Sequence, residues 1–153
     1  MDTASESRIS IARTMSVDIK WLDLDVLADV TIVAGGRRVD RSLGVWSADC
    51  PGEQMIEIRF HYPMPVRRMR VVSSEIERSR TQEMTIWASL DRGERHRQVL
   101  RQQFNFSPNG ATEEVEEYRL QLEGVSAIQL RIVPSIDGQR AVARVTELRV
   151  ASV

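Results

Sequence analysis

The chain has 153 residues, 42% hydrophobic and 28% charged, enough for one domain with its own core and too apolar for disorder. Twenty-two acidic residues offset twenty-one basic ones, a formal net charge of -1, so no nucleic-acid partner is expected. No stretch is long and apolar enough to cross a bilayer, so no membrane role is expected either.

Residues 1–16 are polar and mixed and read as a loose leader to a single domain over residues 17–153. They hold no apolar signal-like run, and the lone Cys50 cannot make an internal disulfide, which favours a cytoplasmic setting. WLDLDVLADVTIV, Trp21–Val33, predicts a short helical turn leading into a strand near Ala28–Val33. GGRR breaks it, and Arg37–Gly52 reads as a long loop with Trp46 inside. From Gln54 the period becomes two. Ile56, Ile58 and Phe60 alternate with Glu57 and Arg59, and a break is expected at His61–Pro65, where Pro63 and Pro65 cannot donate to a ladder. Further alternating runs cover Met69–Val71, Met84–Leu90, His96–Phe106, Tyr118–Leu122 and Ile128–Ile132, and Val142–Val150 closes the domain. The turns fall at LDRGER, at SPNGAT, at Glu123-Gly124 and at SIDGQ. EEVEE, Glu113–Glu117, reads as a solvated loop leading into a strand. About eight short strands with one wet face each predict an all-β antiparallel fold, a β-sandwich or jelly roll.

Three stretches resemble discoidin-like domains: EQMIEIRFHYPMPVRRMRVV, MTIWASLDRGERHRQV and AIQLRIVPSIDGQRAVARVTELRV. The resemblance runs from Gln54 to Val150. It implies the galactose-binding-like jelly roll, and RTQE with RQQFNFSP is also similar to bacterial single-domain proteins of that fold. It implies a binding role and no particular sugar.

Catalytic chemistry is not expected. His61, His96 and Cys50 have no metal-ligand spacing, and both histidines read as solvated residues beside turns. No cofactor is expected. A structural calcium ion, which the fold often carries, would draw on Asp18, Asp23, Asp25 and Asp29, although these also read as helix-turn caps. Strand parity then selects the candidate binding residues. Counting back from Met84 puts Gln82 and Arg80 on the core side, and counting back from Tyr118 puts Glu116 there. A buried charge needs a partner, so Arg80 is expected to pair with Glu116 or Glu83, either as a structural pin or as part of a pocket at one end of the sandwich. Along RQQFNFSP, Leu100, Gln102, Phe104 and Phe106 share the core face, while Arg101, Gln103 and Asn105 form a polar stripe on the other. Gln102 should bond to backbone or sit at a bulge. Planar polar groups beside Trp87 or Trp46 would suit sugar hydroxyls. The candidate ligand-binding residues are therefore Arg80, Gln82, Glu83, Arg101, Gln103 and Asn105. The expected function is non-catalytic binding of a carbohydrate or polyol through loops at one end of the sandwich. The alternative is a cytoplasmic protein-interaction module. Local arginine clusters, such as Arg67, Arg68 and Arg70, read as solvated faces.

Overall fold

Period-two burial runs along β5 and β6, the strands at Arg80–Ser89 and Arg97–Phe106, where one row turns inward and the next outward. The structure, a computed structural model, describes residues 18–34, 37–40 and 45–153. The leader expected over residues 1–16 lies outside the described residues. Among the described residues, one turn of helix, α1 (Leu24–Leu27), precedes eight strands: β1 (Ala28–Ala34), β2 (Arg37–Asp40), β3 (Trp46–Ser47), β4 (Gln54–Ser74), β5 (Arg80–Ser89), β6 (Arg97–Phe106), β7 (Glu113–Val133) and β8 (Arg144–Ala151). All pairings are antiparallel.

Two long strands create the two layers. β4 and β7 have 21 residues each. The first half of β4 lies between β1 and the second half of β7, which continues to β5 and β6. The second half of β4 lies between the first half of β7 and β8, which continues to β3. Ile56, Ile58, Met84, Ile86, Ile128, Leu130 and Ile132 from the first layer meet Met69, Val71, Leu148 and Val150 from the second in one apolar core. At about 1.5–3 kcal/mol for each fully buried large apolar side chain, this core is the main stabilising term.

Four expectations are corrected. Pro63 and Pro65 do not end a strand: β4 runs through them, and its pairing with β7 slips between Arg59 and Arg68. A proline removes a donor, so the ladder bulges there rather than stopping. Glu123-Gly124 is not a turn. Gly124 takes φ 62 inside β7, a conformation open to glycine, and the strand carries on from one layer to the other. Arg37–Gly52 is not one loop, because it contains β2 and β3, and Trp46 is core at 3% exposure. Glu113–Glu117 is not a solvated loop either. It begins β7 and turns Glu114 inward. The short helix before β1, the strand across Arg97–Phe106 and the LDRGER turn are where the sequence puts them.

Candidate functional site

The six predicted residues separate onto two faces. On β5, Arg80 and Gln82 point inward and are buried, as parity requires, while Glu83 points outward. On β6, Arg101, Gln103 and Asn105 are exposed on the same outer face. The register sets Glu83 opposite Gln103 and Thr81 opposite Asn105. Arg101 Nε donates to Glu83 Oε1 at 2.6 Å, Gln103 Nε2 donates to the same oxygen at 3.2 Å, and Thr81 Oγ1 donates to Asn105 Oδ1 at 2.6 Å. The Gln103 bond, then the Arg101 bond, holds the Glu83 carboxyl below its ordinary range. The outer patch thus satisfies its own hydrogen bonds. Among the described residues no ring stacks on Arg101: Trp46 is core, and Trp87 packs its ring under the Arg131 guanidinium, 4.9 Å away.

The inward residues build a chain of bonds across the sandwich. Arg80, only 3% exposed, does not pair with Glu116 or Glu83. Its carboxylate is Glu75, from the β4–β5 loop, with Nε to Oε1 at 2.7 Å. Arg80 Nη1 donates to Gln82 Oε1 at 3.0 Å and to the Pro134 carbonyl at 2.6 Å, and its guanidinium lies 4.6 Å from the Phe106 ring centre. Gln82 Nε2 donates to Glu114 Oε1 at 3.1 Å. Gln102 does not bond to backbone and does not sit at a bulge; the β5–β6 register slips further along, between Ile86 and Trp87. Instead its amide donates to Glu116 Oε1 at 2.6 Å and accepts from the Tyr118 hydroxyl at 3.2 Å. Glu114 Oε2 is buried with no N–H or O–H donor. Burial pushes the Glu114 pKa up to about 8, helped by the hydrogen bond and charge of neighbouring Glu116. Glu114 therefore holds its proton towards neutral pH, because burial and a neighbouring carboxylate both disfavour its charged form.

Arg80 also explains an opening at one end of the sandwich. Burial opposes ionisation of Glu75, but bonds from Arg80 and the Glu77 N–H outweigh it and hold the carboxyl below its ordinary range. Arg80 therefore ties the β4–β5 loop, through Glu75, to the β7–β8 loop, through Pro134. Arg78 Nη1 donates to the Arg140 carbonyl at 3.0 Å and Gln139 Nε2 to the Ser79 carbonyl at 3.3 Å, which joins the same two loops again. Between them is a cavity of about 470 Å³ lined by Ser47, Ser74 and Glu75, by Ile76 and Val142, and by Glu77 and three arginines, Arg78, Arg140 and Arg144. Arg144 Nη1 donates to Ser47 Oγ at 3.2 Å.

The layer arrangement can now be set beside known structures. A pectin-binding carbohydrate-binding module superposes with a TM-score of 0.51 at 13% identity, over 69% of this chain and 70% of its own. The N-terminal domain of the single-strand break repair protein XRCC1 superposes with a TM-score of 0.50 at 9% identity, over 70% of this chain and 79% of its own. The fold is a galactose-binding-like jelly roll. At these identities the likeness speaks for the fold and leaves the ligand open. No family model matches the chain, and no curated protein matches it in sequence.

Two of the four aspartates weighed for calcium have other work. Asp23 Oδ1 accepts from the Asp25 N–H and caps α1, and Asp29 meets His61 Nε2 at 3.3 Å. Among the described residues no three His, Cys, Asp or Glu side chains gather in a way that could hold a metal ion. His61 is solvated as expected, whereas His96 is half-buried, and burial pushes its pKa down. Sequence reasoning missed Arg78, Arg140 and Arg144. Arg78 is 62 residues from Arg140, and only the meeting of the β4–β5 loop with the β7–β8 loop and the start of β8 brings the three together.

Proposed function

We propose that the chain is a discoidin-like, non-catalytic binding module that takes a carbohydrate or similar polyol in the cavity at the loop end of the sandwich. The cavity carries this reading. Its volume, about 470 Å³, is of the size that accepts small ligands, and it combines hydroxyl, carboxylate and guanidinium groups with two exposed apolar side chains. The polar groups suit sugar hydroxyls, and Ile76 and Val142 suit the apolar face of a sugar ring. Arg80 and Gln82 hold the cavity walls from below and do not meet the ligand. On the outer face Arg101 and Gln103 bond to Glu83, and Asn105 bonds to Thr81, which makes them a secondary surface. Hydrolysis is disfavoured on the same geometry. Glu114, the carboxyl raised towards neutrality, is 1% exposed and cannot reach a substrate, while Glu75 is held ionised by Arg80.

A glycan panel read by melting temperature, with and without calcium, tests the proposal. A rise with a sugar is expected, and it should vanish when Val142→Trp fills the cavity. No rise with any sugar sinks the reading. The rival is a protein partner, favoured by Ile76, which is 73% exposed at the cavity wall. Stoichiometric copurification of a partner, lost in the same variant, would establish it.

A further inference from the structure

We infer that the ligand of this cavity is an acidic saccharide, whose carboxylate or sulfate is held by Arg78, Arg140 and Arg144. The inference rests on the carbohydrate reading above. Three guanidiniums line the cavity, and among the described residues none of them lies in ion-pair range of a carboxylate. Arg70, Arg80, Arg95 and Arg101, by contrast, each meet an Asp or Glu, while Arg68, Arg92, Arg97, Arg119 and Arg131 resemble the cavity three in this respect and lie outside the cavity. The acids of the cavity do not cancel them. Glu75 is bonded to the buried Arg80 and feels the Arg78 charge more weakly, and exposed Glu77 is the one other negative charge of the lining. The cavity therefore has an excess of positive charge facing open space.

Two of the three cations are oriented before any ligand arrives. Arg78 is fixed by the Arg140 carbonyl and Arg144 by Ser47 Oγ. Each keeps further N–H groups to donate, since a guanidinium carries five. A guanidinium fork matches a carboxylate or sulfate edge with two parallel bonds, which a neutral hydroxyl cannot accept equally well. A neutral sugar would also crowd three like charges without compensating them. Ser47 and Ser74 are left to read neighbouring hydroxyls, so the acid is one determinant on a sugar frame.

The test is calorimetric titration of the full chain with three matched oligosaccharides: a hexuronic acid oligomer, its carboxyl-reduced neutral counterpart, and a sulfated neutral oligomer. At least one acidic oligomer should bind about tenfold or more tighter than the neutral counterpart, and the preference should shrink as salt screens it. The carboxylate and sulfate arms show which acid is preferred. Arg140→Gln with Arg144→Gln should remove most of that preference while the melting temperature of the free protein stays unchanged, since both side chains are exposed. Equal binding of the neutral and acidic oligomers overturns this inference and leaves the carbohydrate reading standing. Retention of the acidic preference in the double variant also overturns it. If no oligosaccharide binds at all, both fall, including the case in which free sulfate alone raises the melting temperature.

Discussion

Glu114 shows how one side chain can set the pH response of a sandwich. It is buried beside Glu116 and keeps its proton up to about pH 8, whereas an unfolded chain releases it near 4.5. Between those values the folded state binds the extra proton. Stability therefore falls as pH rises through this window, is fully present below about 4.5 and levels off above about 8. Glu114→Gln keeps an acceptor for Gln82, gives Glu116 an N–H donor and removes the titration. The variant should gain about 1–3 kcal/mol over the parent at pH 8.5 and lose that advantage near pH 4. Urea midpoints across pH read this directly, and parallel curves for the two proteins would refute it. Arg80 is the complementary case. Arg80→Met strands Glu75, the Pro134 carbonyl and the Gln82 carbonyl in a largely buried site, at a cost of about 3 kcal/mol. It should lower the melting temperature and also loosen the two loops it joins. A variant as stable as the parent would show that the Arg80–Glu75 pair contributes nothing net.

The most informative element is β7, because it belongs to both layers. Gly124 at φ 62 is the point where it passes between them, and no atom crowds the place a Cβ would occupy. The cost of a side chain there is thus a backbone cost. Gly124→Val should destabilise by about 1–2 kcal/mol without opening a cavity, and Gly124→Asn, which tolerates that conformation better, should lose less. Equal losses for the two in chemical denaturation would mean that φ is not the cause. The same element shows what the sequence could convey. Alternation is a local signal, so the inward rows Ile128–Leu130–Ile132 and Arg80–Gln82–Met84 were legible, as were the outward stripe Arg101–Gln103–Asn105 and the helical turn before β1. Glycine and proline are ambiguous signals. Glu123-Gly124 and Pro63–Pro65 both read as ends, yet the long-range ladder between β4 and β7 overrides them. A glutamate-rich run reads as solvent-facing until a partner strand buries one side of it, which is why Glu114 was missed. Arg80 was correctly sent inward, but its partner was sought on neighbouring strands when a loop five residues back supplied it.

At the scale of the molecule, the cavity and the sandwich are one mechanical unit. Strand ends and two loops wall the cavity, and Arg80 anchors both loops to the core while Arg78 and Gln139 join them again at the surface. A ligand bridging those loops adds its binding energy to the global stability, because unfolding must release it. At a ligand concentration a hundred times the dissociation constant this amounts to about 2.7 kcal/mol. For a domain of this length that corresponds to a rise in melting temperature of about 5–10 °C. The rise should be complete in Arg101→Ala, because the outer patch of Glu83, Gln103 and Asn105 lies on the other side of the first layer from the Arg80 network. It should be much reduced in Arg80→Met, even at a temperature where that variant is still fully folded, because its cavity walls lose their anchor to the core. The two variants thus separate the two surfaces that the sequence offered as candidates. Loss of the rise in Arg101→Ala, with Arg80→Met responding in full, would move the binding site from the loop end to the outer sheet face.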